Sequence, residues 1–367
     1  MYIIIGYFLF SIYIASLIFF IIGIFKIPST KNLLPASENI SIIVCVRNGE
    51  SSIYNILSDL KNQNYKGDLE FIIVDDNSRD GTKKIIYNFC NEDSRFKYLS
   101  TTNLFSNLKH KKKALNLGIE KAQYEWLLFT DVDCRVKDNW VNEMSKHYKY
   151  SDYVIGLSRV EENKSFVSKF QSIDFNMLMI SASSSVFMNS PLACSGQNQS
   201  YKKSIFEKVN GFNEISNLLQ GDDSIFLQLC RKIKNIKISF STDFCVIAKT
   251  HLSWKDFILQ RVRWAGDANI MWKFNKLFFL IILCTFHSNL FILYLLLKKM
   301  LFPFICLMGI KFIFENIIYS IGNKKLNQKN RIVSFLLWFI IQIPYVVFMG
   351  LGSFFVSQLA WRGRKNS

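Results

Sequence analysis

Asp131-Val132-Asp133 sets two carboxylates two residues apart, just after the apolar run Leu127-Leu128-Phe129. Hard oxygen donors of this kind suit Mg2+ or Mn2+, and a cation held there can bridge two phosphates and ease the departure of a diphosphate. A second acidic pair, Asp222-Asp223, follows Gly221, and a carboxylate beside an attacking hydroxyl is an ordinary general base. Asp75-Asp76 and the stretch Arg47-Asn48-Gly49-Glu50 also follow apolar runs. Acids at strand ends can accept hydrogen bonds from a nucleobase N–H and from ribose hydroxyls. Lys111-Lys112-Lys113 brings cations, and an ammonium near a diphosphate offsets its charge. Each group also has a plainer explanation. Asn77, Ser78 and Asp80 turn or cap well ahead of Lys83, one acid at the start of a helix is favoured by the helix dipole, and three lysines can form a solvated face. A lone Asp-x-Asp is weak evidence; the ordered succession of groups adds weight.

Positioning these residues requires strands that end together. From about residue 40 to 250, short β-rich runs alternate with helical stretches, the pattern of an α/β domain with a mainly parallel sheet. Residues 41–46, 71–74 and 127–129 read as strands, and 53–60 and 83–91 as helices. A helix opens at the three lysines, and another is expected over 224–233. Ligands of open α/β sheets bind outside the carboxyl ends of strands, where these acids fall. Residues 170–188 read as a helix that either packs in a core or lines a groove at the bilayer. Residues 254–274 interleave Trp and aliphatics with Lys, Arg and Asp, as an amphipathic interfacial helix does.

Composition adds a membrane. Hydrophobic residues make up 50% of the 367 and there are 34 Phe. Residues 2–25 carry no charge and can span a bilayer core of ~30 Å. A cleavable signal would want a basic start and a small-residue cleavage site, so an uncleaved anchor over 1–26 is expected. Lys26 and Lys31 place the following domain, 38–250, in the cytoplasm by the positive-inside tendency, with the anchor in the plasma (inner) membrane. An interfacial segment 251–276 and an apolar region 277–360 follow, then a basic tail 361–367. Residues 277–297, 300–318 and 332–355 are long enough to span, but Pro303 and Pro344 are candidate break points, so two to four segments stay open. The basic loop 322–331 is expected on the cytoplasmic side. Part of the +17 net charge follows from a composition rich in Ile, Lys, Asn and Phe, and part lies beside apolar segments; no RNA- or DNA-binding module is readable, so no nucleic acid partner is expected. Eight cysteines form no CxxC pair, which fits reduced thiols.

Taken together, residues 74–82, Thr130-Asp131-Val132-Asp133, Gly196-Gln197-Asn198, Gly221-Asp222-Asp223 and Gln260-Arg261-Val262-Arg263-Trp264 resemble the motif set of the membrane-bound family 2 glycosyltransferases. The resemblance covers about residues 40–266 and implies a GT-A nucleotide-diphospho-sugar transferase domain, Rossmann-like, between N- and C-terminal transmembrane helices. It implies that Arg47, Asn48, Glu50, Asp75 and Asp76 meet the nucleotide. Lys111 matches the Lys of a Gly-Lys-x-x-Ala-Leu-Asn stretch, with His110 standing where the family has Gly. Asp131 and Asp133 would hold Mg2+ or Mn2+, and Gly196 and Asn198 belong to a loop over the donor sugar. Asp223 corresponds to the base, with Asp222 as its neighbour. Gln260, Arg263 and Trp264 fit Q-x-x-R-W, whose Arg and Trp embrace the diphosphate and the acceptor. His251 is a possible neighbour of the metal.

The implied reaction is an inverting transfer from a UDP-sugar to a hydroxyl of a membrane lipid or lipid-linked glycan, as in ceramide glucosyltransferases. A processive synthase of the cellulose, chitin or hyaluronan type shares Q-x-x-R-W and stays open, although a polymer channel wants more spans. An inactive membrane scaffold is a third class, but degenerate copies lose an acid or the Arg-Trp pair, and here all are intact.

Overall fold

The seven residues from Ile40 to Val46 offer no polar face to solvent, and they form a strand buried on both sides, as central parallel strands are. The computed structural model describes residues 1–28 and 33–358, with only the chain path described at 243–245 and 356–358. Lys31, the basic tail 361–367 and the last residues of the expected C-terminal apolar region lie outside the described residues. The chain divides into an α/β unit, residues 28–161 and 193–249, and a helical unit made of 1–27, 162–192 and 250 onward.

The chain opens with helix α1 (Tyr2–Phe25). It then enters the α/β unit through β1 (Ile40–Val46), α2 (Glu50–Lys61), β2 (Leu69–Asp75), α3 (Thr82–Glu92), β3 (Phe96–Ser100), α4 (His110–Lys121) and β4 (Trp126–Asp131). The short β5 (Cys134–Arg135), α5 (Trp140–Ser145) and β6 (Tyr153–Val160) follow. Helix α6 (Phe166–Phe187) belongs to the helical unit. The α/β unit resumes with β7 (Gln199–Lys202), α7 (Lys203–Lys208), α8 (Ser224–Cys230) and β8 (Ile238–Ala248). Helix α8 ends three residues before the reach expected for it, at Cys230.

Eight strands form one mixed sheet in the order β3-β2-β1-β4-β7-β6-β8-β5. It is parallel from β3 to β4. Strand β7 then enters antiparallel between β4 and β6, and β6 and β8 pair in parallel. The register puts Asp75 opposite Val46 and Asp131 opposite Cys45, so the acids of β2 and β4 reach the same edge. Because β7 runs the other way, its first residue, Gln199, pairs with Phe129 near the end of β4, which brings the loop before Gln199 to that edge too. Apolar residues of α2, α3 and α5, including Ile53, Leu57, Ile86 and Trp140, cover the sheet with Phe71, Ile73 and Leu128 beneath them.

The helical unit holds α1, α6 and then α9 (Trp254–Ala268), α10 (Lys276–Leu297), α11 (Leu301–Lys325) and α12 (Ile332–Gly352). Side chains start three of them: Ser165 accepts from Ser168 N–H, Ser253 from Asp256 N–H and Asn275 from Phe278 N–H. Among the described residues, four helices are long and apolar enough to cross a bilayer: Tyr2–Phe25, Lys276–Leu297, Leu301–Lys325 and Ile332–Phe355. Pro303 falls in the first turn of α11, where a missing N–H costs nothing, and Pro344 lies inside an unbroken α12, so neither splits a helix. Helix α6 packs on α1, α11 and α12. At Gly23 of α1 any side chain would run into the backbone of Ser184, so the α1–α6 approach depends on that glycine. Deep in this unit Lys311 and Glu315 pair at 2.5 Å, and Tyr13 and Gln342 donate to the same carboxylate, satisfying charges that would be costly unpaired.

Candidate active site

The base of the site is the N-terminal turn of α4. His110 takes φ 54°, the left-handed conformation that the glycine of the related motif would adopt freely. The helix that follows sends the Lys111 ammonium to Asp131 Oδ1 at 2.9 Å and to Asp222 Oδ2 at 3.1 Å. One cation thus joins the acid at the end of β4 to the acid ahead of α8. Burial opposes the Lys111 charge, but the two carboxylates outweigh it and hold the ammonium well above its ordinary value.

Asp223 is next to this pair and caps α8, accepting from Ser224 N–H. Gly196 N–H donates to its other oxygen at 3.3 Å. The Ser224 hydroxyl donates to the Cys194 carbonyl and accepts from Cys194 N–H, which clasps the 194–196 loop to the start of α8. Burial, together with the charge of Asp222, lifts the Asp223 carboxyl to about 6, against the opposing pull of Ser224 N–H, Lys111 and Gly196 N–H. A Cβ on Gly196 would stand 3.4 Å from Lys111 Nζ and 3.6 Å from Asp222 Oδ2, so the backbone of this loop lies directly against the acids and the lysine. The side chain of Asp133, two residues beyond Asp131, is half-buried.

The other nucleotide candidates divide by role. Asp75 accepts from Ser78 N–H at 2.8 Å and from the Tyr98 hydroxyl at 3.1 Å, and Asp76 accepts from Thr101 Oγ1 at 2.8 Å. Both are buried at the strand edge. Arg47, Asn48 and Glu50 sew their loop to the one after β2. Arg47 donates to the Asp76 carbonyl, Asn48 accepts from Arg79 N–H, and Glu50 accepts from Gly81 N–H. Asp80 caps Thr82, as the local sequence suggested. Asn198 is fully buried in the core, where Trp140 donates to it and it donates to the Leu157 carbonyl.

Gln260, Arg263 and Trp264 lie on α9 in the helical unit, all half-buried. Gln171 of α6 brackets the His251 backbone from both sides. The buried charge of this string is Arg261. Its guanidinium stacks 4.1 Å from the Trp264 ring centre and pairs with Asp174 of α6 at 2.9 Å, and Trp338 of α12 donates to the same acid. Arg261 and Lys112 were not singled out in the sequence reading. The spacing Phe257, Arg261, Trp264 puts all three on one helix face and could have flagged the first; nothing local marks the second.

The mixed sheet with a parallel half and an antiparallel β7 is the arrangement of the GT-A fold, with its acids and a lysine at the carboxyl edge of the parallel half, where open α/β sheets bind ligands. A mannosyltransferase of Pyrobaculum calidifontis, solved with GDP-Man and Mn2+, has the same fold, with a TM-score of 0.57 at 13% identity over 96% of this chain and 97% of that one. Residues 41–210 match the family described as Glycosyl transferase family 2, and residues 126–351 match Glycosyl transferase family group 2. The second match spans more than half of the sequence, and the chain belongs to the family 2 glycosyltransferases.

Three curated relatives place it further. It is 30% identical over 157 residues to the poly-beta-1,6-N-acetyl-D-glucosamine synthase of Staphylococcus epidermidis, covering 40% of this chain and 36% of the relative. It is 25% identical over 274 residues to the probable glycosyltransferase YdaM of Bacillus subtilis, covering 69% and 61%. It is 29% identical over 132 residues to the GalNAc(5)-diNAcBac-PP-undecaprenol beta-1,3-glucosyltransferase of Campylobacter jejuni, covering 36% and 41%. The chain therefore spans between 36% and 61% of the length of these relatives.

Proposed function

We propose that this enzyme transfers a sugar from a UDP-sugar to a hydroxyl of a membrane lipid or lipid-linked glycan, with inversion at the anomeric carbon. The observation that carries the reading is the meeting of Asp131, Asp222, Asp223 and Gly196 around Lys111 at the sheet's carboxyl edge. Asp223 takes the proton of the acceptor hydroxyl. The hydroxyl oxygen bonds to the anomeric carbon from the face opposite the leaving group, the bond from that carbon to the diphosphate oxygen breaks, and the nucleoside diphosphate departs. A carboxylate near 6 is ionised at neutral pH yet more basic than an exposed acid. The Lys111 ammonium offsets negative charge as it develops on the diphosphate.

Asp131 and Asp133 are the residues that would hold a divalent cation: both are hard oxygen donors, and both are half-buried rather than sealed. When bound, Mg2+ or Mn2+ supplies further neutralisation of the leaving diphosphate. Asp75 and Asp76 serve the nucleoside. Arg47, Asn48 and Glu50 shape the loop beside it, and Asn198 secures from the core the turn that bears Gly196. By family resemblance Gln260, Arg263 and Trp264 clamp the diphosphate and acceptor. The α/β unit faces the cytoplasm, since Lys26, Lys324, Lys325, Lys329 and Arg331 cluster at helix ends on one side of the spans.

A relative named for acting on an undecaprenol-linked glycan supports a lipid-linked acceptor. The likeness to a poly-N-acetylglucosamine synthase favours a second reading, polymer synthesis. Membranes holding the protein, and an Asp223→Asn control, would be incubated with radiolabelled UDP-sugars and Mn2+ or Mg2+, then partitioned between organic solvent and water. Label in the organic phase that disappears in Asp223→Asn is the expected result. Label in high-mass, water-soluble material would establish the polymer reading, and folded protein inert across the panel would sink both.

A further inference from the structure

Lys112 is 1% exposed, an unusual place for an ammonium, and it reaches three carbonyls of one short loop. Its Nζ donates to the carbonyls of Ile215 and Leu218 at 2.5 Å and of Gln220 at 3.1 Å. Residues 216–221 form no helix or strand, so this loop lacks a regular ladder for its carbonyls. It ends at Gly221, whose φ of 104° turns the chain, and then delivers Asp222 and Asp223. The first bonds of α8 grow from the same residues: Phe226 N–H donates to the Gly221 carbonyl and Leu227 N–H to that of Asp223. A shift at Gln220 is therefore passed to the Asp223 carboxylate within three residues.

The preceding residue completes the arrangement. Lys111 grips the side chains of Asp131 and Asp222, and Lys112 grips the backbone that leads to Asp222 and Asp223. Neighbours on a helix point about 100° apart, so a single turn of α4 can do both. We infer that Lys112 is a positioning residue for the transfer reaction, tying the loop that presents Asp223 to the helix whose preceding residue faces the donor diphosphate. The inference rests on Asp223 as the base. Lys112 touches neither substrate nor reacting atom; its effect is on where the base stands.

The test uses full-length protein in lipid nanodiscs, with Mn2+ and a UDP-sugar that the panel shows to be turned over. Lys112→Met keeps the length and the apolar stem but removes the three donors. Its kcat is expected to fall by about 10- to 100-fold, as a misplacement of the order of 1 Å would cause, with the donor KM and UDP affinity by calorimetry held within about threefold. Lys112→Arg, which restores charge and donors, is expected to recover part of kcat. An unchanged kcat in folded Lys112→Met, or a parallel loss of kcat and UDP affinity, would overturn the assignment. Should the Met variant not fold, hydrogen exchange of the unaltered protein decides. UDP with Mn2+ is expected to slow exchange in 110–121 and 215–224 together, and slowing in the first segment alone would overturn the coupling. Full turnover by Asp223→Asn would sink the base assignment itself, a result separate from either Lys112 readout.

Discussion

Asp223 must be ionised to work, yet its surroundings favour the protonated form, and the two demands set a pH dependence. With its carboxyl raised to about 6 in the folded protein, kcat/KM is expected to rise with pH through an acid limb near 6. Asp222 is one cause of the rise, so Asp222→Asn is expected to move that limb to lower pH, read from a pH–rate profile; a limb that stays in place would refute the assignment. The sign for stability is opposite to that of a salt-bridged acid. A carboxyl whose folded value lies above its unfolded value of about 3.9 stabilises the fold only at low pH, and the contribution is lost as pH rises through the folded value. Asp223→Asn should therefore abolish transfer while melting no lower than the parent at neutral pH. The acids, Lys111 and Gly196 were legible because they lie in short strings, at the ends of β2 and β4 and just ahead of or at the start of α4, β7 and α8. Lys112 was not, since its partners are more than a hundred residues away and appear only once the chain has folded.

At the scale of the element, α9 shows how one turn of helix distributes tasks. Arg261 and Arg263 are two residues apart, so they face opposite ways; the first is buried against Trp264 and Asp174 and the second is half-exposed. The sequence pattern identified the string but not which arginine goes inward. Removing one partner of a buried ion pair leaves the other uncompensated, so Arg261→Ala is expected to cost about 3–5 kcal/mol, read as a lowered melting temperature in detergent. Arg261→Lys should not rescue it, because an ammonium neither stacks as a plane nor forks toward the carboxylate; full rescue by Lys would show that charge alone matters there. Helix α6 was likewise legible as a helix over 170–188, but its partners were not. Phe170, Ile173 and Met179 suit a domain core as well as they suit neighbouring helices, and only packing shows that it sits with α1, α11 and α12. The mixed character of the sheet escaped for a similar reason. Strand β7 is four residues long, and nothing in Gln199–Lys202 announces that it runs against β4.

For the whole molecule, the helices define a threading that can be tested. Helix α11 covers 25 residues, about 37 Å at 1.5 Å per residue, so the turn at Lys298-Lys299 and the loop around Gln328 should emerge on opposite faces of the bilayer. Single cysteines in a background cleared of native thiols give the readout. A cysteine at 299 should react with an impermeant maleimide in intact cells, and one at 328 only after permeabilisation; the opposite pattern would reverse the assigned sidedness, and labelling of both from outside would refute the span between them. The excursion of α6 bears on the order in which the chain is made. Strands β1 to β6 leave the ribosome before α6, but β7, which must slot between β4 and β6, leaves after it. The sheet therefore cannot close until the chain has passed through α6, at a point where of its helix partners only α1 has been synthesised. Completion of the sugar-transferring half thus waits on chain that follows a helix of the other unit, and the half cut free at residues 28 and 249 would still carry that helix stripped of its companions.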